Sequence, residues 1–312
     1  MNKLTRKITY VQDYGAQIAL VILIVLVSAI SPEFRTLQNA LSLLRQSAIN
    51  GLIAFGMTCV ILTGGIDLSV GSTLCLTALL SAGMIRSSVP VWLVIVVALV
   101  IGLVLGLLNG LMVVKGRLQP FIATLVSMTA YRGLSMIFSD GRPISSLGDS
   151  RLLYALGRGS FLGIPVPVWI MAALFALFLF VLQKTVLGRQ IYATGSNSKA
   201  ASLAGIDIGA VKYLVYGVSG VMATLAGLIL VSRLGSAQPT MGSGYELDAI
   251  AAVALGGTSM NGGRGKILGT LTGVIIIATL NNGMNIIGIS SYYQQVAKAV
   301  VILLAVLSDR NR

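Results

Sequence analysis

Residues 87–114 read SSVPVWLVIVVALVIGLVLGLLNGLMVV, bounded by Arg86 and Lys115. No charge interrupts the run. A hydrocarbon core about 30 Å thick is crossed by roughly 20 apolar residues at about 1.5 Å each, so this stretch is long enough to be a membrane-spanning helix. Gly102, Gly106 and Gly110 recur at four-residue spacing and give that helix one face of small residues, which suits close packing on a neighbour.

Reading outward from it, charge-free windows recur along the chain. Before it lie Tyr14–Pro32, Gln46–Ile66 and Leu68–Ile85. After it come Leu118–Tyr131, continued past Arg132 by Gly133–Ser139, then Gly159–Gln183 and Tyr213–Ser232. A shorter run follows Asp248 as far as Asn261. Ile267–Ala297 is interrupted by Asn281, Asn282, Gly283 and Asn285, and the last window, Tyr292–Leu307, has Lys298 inside it. The expectation is an all-α polytopic membrane protein, one domain over residues 1–312, with about ten spans, the eighth being the weakest. The first window is followed by Pro32-Glu33-Phe34 rather than a small-residue cleavage site, so it is not read as a removed signal peptide.

Composition agrees. The chain has 312 residues, of which 56% are hydrophobic and only 10% charged, against roughly a quarter charged in an ordinary soluble domain. A disordered chain, a disulfide scaffold and an ordinary cytosolic enzyme are excluded. Histidine is absent, which removes imidazole acid–base chemistry, Ser-His and Cys-His nucleophiles and His-bound metals. Cys59 and Cys75 each sit inside an apolar run and read as small buried hydrophobes.

The net charge is +13. With the N-terminus inside, thirteen basic residues fall in inner segments: Lys3, Arg6 and Lys7; Lys115 and Arg117; Lys184, Arg189, Lys199 and Lys212; Arg264 and Lys266; Arg310 and Arg312. Seven fall outside, all arginines: Arg35, Arg45, Arg86, Arg142, Arg151, Arg158 and Arg233. Positive residues concentrate on the cytoplasmic side, so both termini are expected to be cytoplasmic. The dispersal of these residues in short connections argues against a nucleic-acid partner. Arg132 and Lys298 fall within spans, where an ammonium group facing lipid would cost about 3 kcal/mol; Lys298 should therefore face protein or a cavity, or snorkel.

A weak internal repeat pairs Gly64, Gly65 and Gly71 with Gly256, Gly257 and Gly263, and Asn109-Gly110 with Asn282-Gly283. Related halves with interrupted apolar segments are a transporter trait, and the expected spans put both glycine clusters on one side. The first cluster, Thr63-Gly64-Gly65-Ile66-Asp67-Leu68-Ser69-Val70-Gly71, holds a carboxylate between two apolar runs. Asp67 is either the N-cap of the third span or a gate in a polar cavity. Glu246 and Asp248 cap the eighth helix, line the outer mouth, or do both. Asn282 and Asn285 share a helical face; they and Asn281 glue helices together or line a wet path. The candidate substrate path or gate is thus Thr63, Asp67, Ser69, Asn109, Asn281, Asn282 and Asn285.

Residues 184–212 form the longest inner connection. Within it, a short alanine-rich helix is expected between an N-cap at Asn197 or Ser198 and a stop at Gly205, available to dock in a groove of another protein. No phosphate-binding loop exists: Gly262-Gly263-Arg264-Gly265-Lys266-Ile267 has Met260 where the first glycine belongs and Ile267 where Ser or Thr belongs. ATP-driven transport would need a separate subunit.

The Gly64–Gly71 signature, Pro120-Phe121-Ile122-Ala123-Thr124-Leu125, Tyr245–Val253 and Gly256-Gly257-Thr258-Ser259 resemble the permeases of bacterial sugar ABC importers. Ser236-Ala237-Gln238-Pro239-Thr240 and Ser290-Ser291-Tyr292-Tyr293-Gln294 are similar to the ribose-carrying branch. The resemblance runs from about Leu20 to Asp309. It implies a homodimeric subunit of the bacterial cytoplasmic membrane, without enzymatic activity or cofactor. It also implies an extracytoplasmic sugar-binding protein that delivers ribose or a similar monosaccharide, and a peripheral ATP-binding subunit with two fused cassettes. The family's coupling helix matches Gly195–Ile206, giving Gly195, Asn197, Ala200, Ala201, Gly205 and Ile206 as the ATPase contact; Ser196 stands where relatives often carry a second glycine. The outer arginines, Arg35, Arg86, Arg142, Arg151, Arg158 and Arg233, are candidates to meet an acidic rim on the binding protein. A permease for another sugar or sugar-like signal is the nearest rival; a stand-alone secondary transporter, relying on Asp67, Asp248 and Lys298, is a remoter one.

Overall fold

A computed structural model describes residues 3–309 apart from Asp149. Arg310 and Arg312, and the side chains of Lys3, Arg6 and Lys7, lie outside what is described. The chain is helical almost throughout: α1 (Lys3–Ile30), a 3-10 turn (Pro32–Arg35), α2 (Leu37–Leu62), α3 (Val70–Arg86), α4 (Val91–Val114), α5 (Pro120–Ser139) and α6 (Arg151–Gly157). A two-stranded antiparallel hairpin follows, β1 (Ser160–Phe161) with β2 (Ile164–Pro165). Then come α7 (Val166–Lys184), α8 (Val186–Ser196), α9 (Ser198–Leu203), α10 (Ile208–Leu234), α11 (Tyr245–Leu255), α12 (Ile267–Ile286) and α13 (Ser291–Asp309).

Each of the ten windows is occupied chiefly by one helix. Among the described residues, α2, α4, α5, α7, α10 and α12 are long and apolar enough to cross a membrane, and Gly15–Ile30 and α3 are shorter apolar helices. Two boundaries differ from expectation. α2 begins at Leu37, ahead of Arg45, because the Thr36 hydroxyl accepts the Asn39 amide at 3.2 Å and caps it there. As expected, α5 runs through Arg132. The eighth helix starts at Tyr245, taking Glu246 and Asp248 into its first turn, and stops at Leu255. Eleven residues make only about 16 Å of helix, so α11 reaches half-way and a non-helical stretch, 235–244, accompanies it.

The centre of the bundle is α10, packed against α2, α3 and α4. The small-residue face of α4 lands on it. A Cβ at Gly102 would stand 2.8 Å from the Gly220 carbonyl oxygen, and one at Gly106 would stand 3.0 Å from Gly217 Cα. A second such seam joins α11 to α12, where a Cβ at Gly256 would approach the Thr270 amide to 2.6 Å. Backbones approach closely there, which maximises dispersion contact where lipid offers no hydrophobic drive. The outer surfaces of α1, α4, α5 and α7 are bare apolar side chains such as Val21, Val100, Ile137 and Phe180, as expected of a protein whose solvent is hydrocarbon.

Candidate functional site

The loop between α2 and α3 turns inward and buries Asp67, 1% exposed. One carboxylate oxygen, Oδ1, accepts the Ser69 amide at 3.0 Å and the Ser69 hydroxyl at 2.7 Å. The other, Oδ2, accepts the hydroxyl of Ser219 from α10 at 2.7 Å. Asn109 of α4 donates through Nδ2 to Ser69 Oγ at 2.8 Å, and reaches Asp67 Oδ1 at 3.4 Å. The N-cap position of α3 belongs to Ser69, whose side chain accepts from no helix amide. Asp67 therefore ties a loop to two helices instead of capping the third span. Beside it, the Ile66 carbonyl accepts the hydroxyls of Thr124 at 3.3 Å and Tyr216 at 3.4 Å. Thr63 stays apart: its hydroxyl returns to the Val60 carbonyl at 2.8 Å. The Asn109 Oδ1 atom is buried and accepts nothing among the described residues.

The two glycine clusters meet, as their expected placement on one side requires. The Gly263 amide donates to the Leu62 carbonyl at 2.9 Å. The turns also share a hydrogen-bond pattern. Gly64 donates to Ile61 and Gly65 to Val60; Gly257 donates to Ala254 and Thr258 to Val253. Gly64 and Gly257 both have positive φ, +78° and +80°, the left-handed conformation that ends helices. Gly64 thus stands opposite Gly257, one position later than residue identity pairs it. Asn109 and Asn282 are not equivalent: two helices, α3 and α4, follow the first turn as far as Asn109, whereas α12 alone reaches Asn282.

With this geometry, residues 39–306 match the family described as "Branched-chain amino acid transport system / permease component". The chain belongs to this permease family. Among the proteins it resembles are the ribose import permease proteins RbsC of Bacillus subtilis (strain 168), 56% identical over 96% of this chain and 94% of that one, and of Haemophilus influenzae (strain ATCC 51907 / DSM 11121 / KW20 / Rd), 54% identical over 94% and 91%. The RbsC protein of Escherichia coli (strain K12) is 48% identical over 97% and 95%.

The permease satisfies its intramembrane charges internally. Arg132 donates through Nη1 to the carbonyls of Pro239 at 2.9 Å and Met241 at 2.8 Å, holding stretch 235–244 against α5. Lys298 of α13 pairs with Asp248 of α11 at 2.9 Å. Glu246 reaches back to accept the Gly244 amide at 3.1 Å, a cap of α11 from inside the helix. The three asparagines of α12 divide. Asn282 exchanges two amide hydrogen bonds with Asn39 of α2, at 2.8 and 3.0 Å, which is helix glue. Asn285 Oδ1 accepts from Gln294 at 2.7 Å. Asn281 is buried with its Oδ1 unpartnered among the described residues.

The two ends of the bundle differ. α10, 27 residues or about 40 Å long, runs from the α8–α9 end to the arginine end. At the latter, Arg158 donates to the Arg233 carbonyl at 3.0 Å, and strand-like pairing joins Ile144 to Ala237. Arg86, Arg142 and Arg151 are exposed, and Arg35 donates to the Ser28 carbonyl at 2.7 Å. A cleft of about 740 Å³ there is lined by Arg151, Arg158, Tyr154 and Ser232 among others. At the opposite end the expected short helix is present as α9. Asn197 caps it by accepting the Ala200 amide at 3.0 Å, and Gly205 ends it with φ +85°. Ala201 faces inward and is buried, Ile206 is half-buried, and Ala200 is exposed. Gly195 belongs to α8 and lies against Leu62 and Gly263. Tyr192 donates to the Gly265 carbonyl at 2.9 Å, and burial raises its phenol above the usual range, keeping it a neutral donor.

Three residues of these contacts, Ser219, Tyr216 and Asn39, were not singled out by the sequence. Ser219 and Tyr216 are single polar groups inside an apolar run, and Asn39 precedes the second window. Leu203, within the Gly195–Ile206 segment, is 91% exposed at the end of α9.

Proposed function

We propose that this permease is the membrane subunit of an ATP-driven importer that moves ribose into a bacterial cell. The near-full-length likeness to three proteins named ribose import permease carries this reading. The chain crosses the cytoplasmic membrane ten times with both termini cytoplasmic, and works as a pair with a second copy of itself. An extracytoplasmic sugar-binding protein delivers the sugar to the arginine end. A peripheral ATP-binding subunit with two fused cassettes meets α9 at the other end, where Leu203 is the apolar knob. Hydrolysis occurs on that subunit; this chain contributes the path and the moving helices.

Within the path, the hub of Asp67, Ser69, Asn109 and Ser219 acts as a lock that holds the first glycine turn against α4 and α10. Asn281 and Asn285 supply amide groups suited to sugar hydroxyls, while Asn282 holds α12 to α2 and Thr63 closes its own helix turn. A neutral sugar needs no counter-charge, which fits a chain whose intramembrane Arg132, Asp248 and Lys298 are each occupied by protein partners.

The test is uptake of labelled ribose into proteoliposomes holding the permease and the ATP-binding subunit, with binding protein and ATP supplied on their proper sides. Uptake should require all three proteins and hydrolysable ATP, and should exceed that of arabinose. Ribose uptake driven by a proton gradient without the ATP-binding subunit would replace this reading with the secondary transporter.

A further inference from the structure

At the α8–α9 end, three backbone segments meet at Gly195, Leu62 and Gly263, with the Ser196 side chain beside them. Gly263 donates to the Leu62 carbonyl at 2.9 Å. Gly195, next to last in α8, stands over that bond. A Cβ there would lie 2.6 Å from the Gly263 amide nitrogen and would run into the Leu62 carbonyl oxygen. From the other side, a Cβ at Gly263 would lie 2.6 Å from Ser196 Cα. Ser196 Oγ donates to the Gly263 carbonyl at 3.4 Å, and Tyr192, one turn back, holds the Gly265 carbonyl at 2.9 Å.

One short piece of α8 therefore touches both glycine turns. These turns carry φ-positive glycines, Gly64 and Gly257, where the backbone bends most freely. Beyond the first turn lie Asp67 and α3; beyond the second lies α12. The contacts among Gly195, Leu62 and Gly263 are backbone on backbone, with little side chain to absorb a displacement, and close-packed interiors transmit strain. The other end of the same piece runs directly into the capped helix α9.

We infer that Gly195 and Gly263 are positioning residues through which a displacement of α8–α9 re-aims α3 and α12 together, both turns moving as one joint. The inference rests on the reading of α9 as the contact for the ATP-binding subunit.

Hydrogen exchange on the wild-type complex with its ATP-binding subunit, with and without bound ATP, tests it. Peptides covering 60–66 and 255–265 should change protection in the same direction and to a similar extent whenever 196–206 does. A response in 196–206 with only one turn, or neither, following would overturn the joint while sparing the docking reading. Silence in 196–206 would sink the docking reading, and the joint with it. Gly195→Ala is the companion variant. It should lose about tenfold in uptake, the size of a typical coupling, beyond any loss in binding of the ATP-binding subunit measured on the same variant. Uptake within about twofold of wild type would overturn the inference. If that variant does not fold, the wild-type exchange measurement decides.

Discussion

The Lys298 ammonium lies 2.9 Å from each carboxylate oxygen of Asp248, joining α13 to α11 inside the bundle. Neither group is fully free of solvent, since the lysine side chain keeps 25% of its exposure and the aspartate 7%. Removing one partner strands the other. Lys298→Met should destabilise the protein by about 3 kcal/mol, and Lys298→Met with Asp248→Asn should recover most of that loss. Thermal unfolding in detergent gives both values; a double variant no better than the worse single one would show that the pair is not what matters.

Ser219→Ala should be the most informative change at the buried hub. It deprives Asp67 Oδ2 of its hydrogen bond and leaves the oxygen without a donor, at a cost of about 1–3 kcal/mol. Asp67→Asn should cost a comparable amount, because the amide keeps one acceptor oxygen while adding donors where donors already converge. If the hub is a lock, ribose uptake falls in parallel with stability in both variants. Uptake lost at full stability would make Asp67 part of the path instead.

The paired amides of Asn39 and Asn282 should behave as one unit. Either residue replaced by alanine should cost about 1 kcal/mol, and the double variant little more than a single one, as for hydrogen bonds between membrane helices. A double-mutant cycle in unfolding measures this. Ribose selectivity should stay unchanged in all three variants; a shift toward arabinose would return Asn282 to the path.

On α9 the two faces should respond differently. Leu203→Glu should abolish co-purification with the ATP-binding subunit while leaving the thermal stability of the permease within about 0.5 kcal/mol of wild type, as for surface changes generally. Ala201→Glu should lower stability, because its side chain would enter the packed side of the helix. Equal effects from both would mean that α9 meets no partner.

Local chemistry was legible in the chain and distant pairing was not. The bounds of α9 follow from Asn197 and Gly205, a cap and a stop that act within one helical turn. The spans follow from charge-free length. The eighth helix was set too late because Glu246 and Asp248 read as outside it; the groups that admit them, the Gly244 amide and Lys298, are respectively unreadable backbone and 50 residues away. Asn282 could be recognised as glue or path, but the choice lies with Asn39, 243 positions earlier. Asp67 could be recognised as intramembrane, but its partner Ser219 sits in an apolar run with nothing to mark it. The repeat was visible through its glycines, and its register was misjudged by one because hydrogen bonding, not residue identity, defines the turn.

The seam between α4 and α10 has a further consequence. At Gly102, Gly106, Gly217 and Gly220 there are no side chains to grade from small to large. Most protein contacts can drift through intermediate sizes, one neighbour shrinking as another grows. Here the first step up, a single methyl, already collides: with main chain on the opposite helix at Gly106 and Gly220, with Thr224 and the Gly220 carbonyl at Gly102, and with the Leu103 side chain at Gly217. The seam therefore offers random mutation no gradual route, and a library of variants should contain tolerated changes on both flanks of it and almost none within.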